Sequence, residues 1–159
     1  MSKQLVVYFS ATGTTAKLAE TLADVLGADI YPILPQVPYT SADLNWMNPR
    51  SRSMVEMHAP ASRPAMRDMP CPVEEYDTIF IGFPIWRYVA PTIINTFLER
   101  YDLSGKTIVP FATSGGSGMG ETNAALQPSC PDSRLLNGKV FRFCPSRDAL
   151  SAWLATLAL

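Results

Sequence analysis

Near the start of the chain, Ser10-Ala11-Thr12-Gly13-Thr14-Thr15 gathers hydroxyl side chains around one glycine. It follows a short apolar, β-rich run and opens a helical one. A loop so placed turns backbone N–H groups and the positive end of a helix dipole toward one spot, which suits an anion. The hydroxyls add donors, and Gly13 lets the backbone approach without a clashing Cβ. No lysine or arginine is required, so neutral donors alone can hold a phosphate monoester. An ordinary capped strand-to-helix turn would use the same residue types. A Walker A loop is excluded, because no Gly-Lys-[Ser/Thr] follows.

Two further loops have unusual chemistry. In Pro84-Ile85-Trp86-Arg87-Tyr88-Val89-Ala90-Pro91, two bulky aromatics sit between prolines. Trp86 and Tyr88 can wall a planar ligand; alternatively one of them plugs the end of the core, and Arg87 is a solvated charge. The third loop, Thr113-Ser114-Gly115-Gly116-Ser117-Gly118-Met119-Gly120, concentrates glycine. That is entropically costly unless the backbone must bend or approach something. N–H groups freed there can bond the polar edge of a heterocycle; the alternative is a flexible loop. Ser117 is no hydrolase nucleophile. Met119 stands where the second glycine of G-x-S-x-G belongs, and the only histidine, His58, precedes the serine instead of following it. His58 is expected to face solvent.

These loops need a scaffold. Gln4–Ser10 reads as a buried parallel strand. Thr14–Leu26 carries Leu18, Leu22, Val25 and Leu26 on one helical face, with Gly27 just past its end. Ala28–Leu34 is a weaker second strand, Asp77–Phe83 a third and Thr107–Thr113 a fourth. Pro110 is awkward within the last, since it lacks the ladder N–H. Pro91 fits the first position of a helix whose face holds Ile93, Ile94, Phe97, Leu98 and Tyr101. Met119–Gln127 is a short helix. A fifth strand is either Arg134–Leu136 or Lys139–Phe143, with Asn137-Gly138 as a turn between them. Ser146 caps a last helix that buries Leu150, Trp153, Leu154 and Leu157.

Five alternations of strand and helix predict an α/β fold: a doubly wound, five-stranded parallel sheet in the order 2-1-3-4-5, with helices on both faces. The ligand then lies beyond the carboxyl ends of the strands, at the β1/β3 switch point. Ten of the fourteen prolines fall between Pro32 and Pro91. Residues 36–74 therefore read as a long Pro-rich insertion after strand two, with a short helix around Ser51–His58, inside a single domain spanning 1–159. A loop this long is usually functional or mobile.

Composition removes several classes. A net charge of -1 with 13 scattered basic residues gives no nucleic-acid footprint. Apolar runs such as Ile79-Phe80-Ile81 are far short of the ~20 residues a membrane span needs. Met1-Ser2-Lys3-Gln4 runs straight into Leu5-Val6-Val7 without a signal-peptide core, so the expected location is the cytoplasm. Cys71, Cys130 and Cys144 show no CxxC spacing and are read as reduced thiols, not as a disulfide framework or zinc site.

Taken together, the motifs resemble the flavodoxin-like superfamily. Ser10, Thr12, Gly13 and Thr15 match its [Ser/Thr]-x-Thr-Gly-x-Thr phosphate fingerprint. The similarity is closest to a branch of single-domain flavodoxins and NAD(P)H–quinone-reductase-like proteins. It rests on the YFSxTGTT start, Phe83–Trp86, Pro110–Gly118 and the stretch holding Tyr39, Asp43-Leu44-Asn45-Trp46 and Ser51-Arg52. The resemblance spans roughly the whole chain. It implies FMN as cofactor, with its phosphate in the first loop and its ring flanked by the other two. Expected cofactor contacts are therefore Ser10, Ala11, Thr12, Gly13, Thr14, Thr15, Pro84, Ile85, Trp86, Arg87, Tyr88, Thr113, Ser114, Gly115, Gly116 and Gly118. The family includes both carriers and reductases. Carriers are typically strongly acidic, whereas this chain is nearly neutral and carries a segment, with Tyr39 and Trp46, long enough to roof the flavin. The balance points to hydride transfer from NAD(P)H to the flavin and onward to a quinone-like acceptor. The alternative is an electron carrier serving a protein partner.

Overall fold

Runs of branched and aromatic residues, buried on both faces, make the centre of the molecule. In the computed structural model, residues 3–68, 70–86, 89–114, 118–142 and 145–157 are described. Strands β1 (Gln4–Tyr8), β2 (Asp29–Pro32), β3 (Thr78–Pro84), β4 (Thr107–Thr113) and β5 (Arg134–Leu135) form a parallel sheet in the order β2-β1-β3-β4-β5. This is the expected doubly wound α/β fold.

Side chains alternate between two apolar layers, as the period of a strand requires. Val6, Phe80, Val109 and Phe111 pack with Leu18 and Leu22 of helix α1 (Thr14–Leu26) and with Leu150 and Trp153 of α5 (Arg147–Ala155). Leu5, Val7, Ile79, Ile81 and Phe83 pack on the other face with Ile93, Ile94, Phe97 and Leu98 of α3 (Ile93–Arg100). Helix ends follow local chemistry. Gly27 ends α1 in the left-handed region at φ 64°, and the Ser146 hydroxyl accepts from the Ala149 N–H at 3.1 Å to cap α5. Pro91 does not sit at the first position of α3. Its carbonyl accepts from the Ile94 N–H at 3.0 Å, forming a tighter turn that precedes the helix. The expected Met119–Gln127 helix is shorter, with α4 at Thr122–Leu126 running into a 3-10 turn at Gln127–Ser129.

Both candidates for the fifth strand are present, and Asn137-Gly138 is not a hairpin turn between them. A further strand, β6 (Lys139–Phe141), also lies parallel to β4. It continues the edge that β5 begins. Thr107 and Ile108 pair with Arg134 and Leu135, whereas Phe111 to Thr113 pair with Lys139 to Phe141, so one extra residue enters at the break. Pro110 explains it. Ile108 accepts from the Leu136 N–H and Ser114 donates to the Phe141 carbonyl, so even-numbered residues of β4 face this edge. The N–H missing from Pro110 therefore falls where the ladder is interrupted. Gly138 fits there only for want of a side chain: a Cβ would stand 2.7 Å from the Pro110 carbonyl oxygen.

The segment between β2 and β3 is more ordered than its composition implies. Its two ends zip together: Gln36 N–H donates to the Ala65 carbonyl at 2.8 Å, Arg67 N–H donates to the Leu34 carbonyl at 2.7 Å, and Pro35 and Met66 form an antiparallel bridge. Helix α2 (Arg52–Met57) lies within it. Met66, Cys71, Val73 and Tyr76 are buried in the layer shared with α3. Outside the core, Arg63 pairs with Glu99, Asp68 with Arg100, and the Thr96 hydroxyl donates to the Pro64 carbonyl at 2.9 Å. Among the described residues, no helix is long and apolar enough to cross a membrane.

Candidate functional site

Sheet register brings the three loops to one end. Past the last paired residues, Phe9 N–H donates to the Gly82 carbonyl at 2.9 Å, Ile85 N–H to Thr113 at 2.9 Å, and Ser114 N–H to Phe141 at 3.3 Å. The chain leaves the sheet at Ser10, Ile85 and Ser114, at the carboxyl edge where doubly wound sheets bind ligands.

In the first loop Gly13 adopts φ 95°, a left-handed conformation that glycine accepts without penalty. Its N–H donates to the Ser10 hydroxyl at 3.0 Å. Lys17 N–H to the Gly13 carbonyl, at 3.1 Å, is the bond that begins the helical ladder, and no side chain caps α1. The N–H groups of Thr14, Thr15 and Ala16 therefore point out of the helix end without an intrahelical acceptor. Thr12 and Thr14 are exposed beside them, with their hydroxyls 3.5 Å apart.

Thr15 behaves differently. It is 2% exposed, and its hydroxyl lies 2.8 Å from that of Thr113, which is 9% exposed. This buried bond joins the first loop to the third, so the Thr15 side chain sets loop spacing while its N–H remains at the helix end. Thr15→Val should leave the Thr113 hydroxyl buried without its partner and destabilise the protein by about 1–3 kcal/mol, read from urea unfolding. An unchanged midpoint would show that the bond does not join the loops energetically.

The second loop is pinned by a two-way backbone pair: Trp86 N–H donates to Val89 at 2.9 Å, and Val89 N–H donates back at 3.4 Å. Pro84, Ile85 and Trp86 are half-buried. Trp86 meets Phe9 and Tyr39 edge-on, with ring centroids 6.1 and 5.6 Å away, and Phe9 meets Tyr39 at 5.5 Å. Tyr39 is itself clamped. The Arg52 guanidinium lies 3.7 Å from the centre of its ring, and its hydroxyl donates to Glu56. Arg52 Nε donates to Glu56 at 3.1 Å and its terminal nitrogen to the Val37 carbonyl at 2.7 Å. Burial first, then the Glu56 contact, pushes the Tyr39 hydroxyl well above its ordinary pKa, so it stays protonated.

Trp46, expected to share this wall, does not: it is 68% exposed, because the tight turns from Thr40 to Asn48 carry it outward. The clamp on Tyr39 was not anticipated. Its one sequence signal is the i,i+4 spacing of Arg52 and Glu56.

In the third loop, Ser114 and Gly118 are half-buried at the same end. The expected contacts Arg87, Tyr88, Gly115 and Gly116, and also Ser117 and Cys144, lie outside the described residues. His58 is exposed at the end of α2, as expected, with Nδ1 2.9 Å from the Met54 carbonyl. Cys71 and Cys130 are buried free thiols, and burial raises the Cys71 thiol to about 11, so it is no thiolate at neutral pH. Beside the first loop opens a cleft of about 220 Å³, lined by Phe9, Ser10, Ala11, Leu34, Pro35, Pro38, Tyr39 and Arg67.

A sequence model of the flavodoxin family matches residues 3–157. No curated protein sequence matches the chain. Among solved structures, a candidate flavoprotein from Bacteroides eggerthii is 51% identical with a TM-score of 0.93, over 100% of this chain and 99% of that one. A candidate flavoprotein from Bacteroides uniformis is 45% identical with a TM-score of 0.91, over 97% and 98%. A flavoprotein from Lactobacillus acidophilus in complex with FMN is 19% identical with a TM-score of 0.72, over 88% and 93%, and shares the fold.

Proposed function

Because the chain belongs to the flavodoxin family, we propose that it binds FMN and acts as an oxidoreductase, carrying electrons from NAD(P)H to a quinone or similar small acceptor. The observation that carries this reading is the uncapped N-terminus of α1 beside an aromatic corner. N–H groups of Thr14, Thr15 and Ala16, together with the Thr12 and Thr14 hydroxyls, suit a phosphate monoester. Trp86 and Tyr39 offer ring surface next to it. The sequence holds no second mononucleotide-binding half for an adenosine, which favours FMN over FAD.

Bound FMN supplies the redox chemistry, so no side chain has to act as acid or base. The protein's own work is positional. Gly13 and the α1 N–H groups fix the phosphate, and the Thr15–Thr113 bond holds the first and third loops at a set distance. Trp86 would stand against one side of the ring, and backbone groups at Ser114 and Gly118 would serve its polar edge. The Arg52–Glu56 pair fixes the Tyr39 ring in the cleft wall.

Two features favour a small-molecule reductase over a carrier. A net charge of -1 produces little long-range field to steer a protein partner. The docked segment between β2 and β3 also lines a cleft of about 220 Å³, the scale of a small ring compound. NAD(P)H added to the FMN-loaded protein is expected to bleach the flavin absorbance directly, and menadione to restore it. Slow bleaching by NAD(P)H, with rapid reduction by a separate reductase protein, would replace this reading with the carrier.

A further inference from the structure

Among the described residues, the cleft beside the first loop has one cationic side chain in its lining, Arg67. Among the described residues no carboxylate bonds its guanidinium. The adjacent Asp68 pairs with Arg100, and Glu99, Glu56 and Asp43 pair with Arg63 and Arg52. Arg67 is exposed, but its backbone is held. Its N–H donates to Leu34 across the ribbon that closes the segment's two ends, and the adjacent Met66 is buried in the core. The Arg67 side chain thus springs from a held backbone at the cleft wall.

The remaining lining is mostly apolar: Phe9, Ala11, Leu34, Pro35, Pro38 and the face of Tyr39. A mostly apolar cleft with one cation in its wall suits a ring compound bearing an anionic substituent, since the ring satisfies the walls and the charge fixes orientation. Size narrows this further. About 220 Å³ lies below the ~300–1,000 Å³ typical of drug-sized ligands, so the cleft takes one or two fused rings and not a dinucleotide. Nor does it match the cofactor's phosphate. Of the first loop only Ser10 and Ala11 line it, whereas the N–H groups at the helix end belong to Thr14, Thr15 and Ala16.

We propose that Arg67 forms an acceptor subsite in this cleft that recognises the carboxylate or sulfonate of an anionic quinone-like ring. This rests on the reading of the protein as a small-molecule reductase and names the acceptor class. The same chemistry in a dinucleotide would be the 2′-phosphate of NADPH.

The test uses the oxidised, FMN-loaded protein and binding alone. Calorimetry compares 1,4-naphthoquinone-2-sulfonate with uncharged menadione, and NADPH with NADH, in wild type and in Arg67→Gln. The proposal expects the sulfonated ring to bind wild type at least tenfold more tightly than menadione, with the advantage shrinking in high salt. Arg67→Gln should abolish that advantage while leaving menadione, FMN and NADPH affinities unchanged. A sulfonate preference untouched by Arg67→Gln overturns the subsite and leaves the quinone reading standing. An effect confined to NADPH, or a loss of FMN affinity, reassigns Arg67 to the donor or to the cofactor and equally overturns it. If neither quinone binds, the small-molecule acceptor reading fails and the subsite with it.

Discussion

Replacing Gly13 by valine should weaken FMN binding at least tenfold, a loss of about 1.4 kcal/mol, in a protein that still folds. Gly13 holds φ 95°, and in the protein alone nothing lies within 4 Å of where a Cβ would stand. The substitution therefore creates no clash inside the fold. Its effect has two sources at the ligand side of the loop. A β-branched residue in left-handed backbone costs on the order of 1–2 kcal/mol, which drives the loop toward another conformation and disperses the N–H groups of Thr14 to Ala16. A side chain that stays in place occupies the space a phosphate would use. Fluorescence titration of the apoprotein with FMN gives the affinity, and circular dichroism confirms the fold. Unchanged affinity in a folded variant would remove the phosphate from this loop.

Trp86→Ala should brighten bound FMN several-fold and lower its affinity by about tenfold. Trp86 is held by backbone bonds to Val89 and by edge-on contacts to Phe9 and Tyr39, so its ring has little freedom to fill a vacant site and then withdraw. Aromatic pairs of this kind are worth roughly 0.5–1.5 kcal/mol each, and an indole against the flavin would contribute on that scale and quench its emission. Trp86→Phe should restore most of the affinity, because the stacking surface is largely retained. If neither emission nor affinity responds to Trp86→Ala, the residue only closes the end of the core, and the ring wall must be sought elsewhere.

The central strands β1, β3 and β4 were legible because each is a short apolar run, a pattern local enough to survive without tertiary information, and the order followed from the alternation of strand and helix. Gly27 and Ser146 likewise act through their own backbone neighbours. What eluded sequence reading depends on distant partners. Pro110 marked an irregularity in β4, but only the register with the neighbouring edge shows that it interrupts that edge, so that two candidate strands are both real and Asn137-Gly138 runs onward. The segment between β2 and β3 lacks periodicity because its order comes from a bridge between residues 35 and 66 and from ion pairs to α3. In the site, the hydroxyl fingerprint was visible, but the inward turn of Thr15 toward a residue 98 positions away was not. Tyr39 and Trp46 looked equivalent as aromatics in one segment. The Arg52–Glu56 clamp, a tertiary arrangement, separates the wall from the exposed ring.

The identity of the flavin is the most direct test of this reading. The purified protein, saturated with flavin and washed, is denatured, and the released chromophore is separated and quantified against the protein. One FMN per chain is the predicted result. Release of FAD alone, or a folded apoprotein with no measurable affinity for FMN, would contradict it.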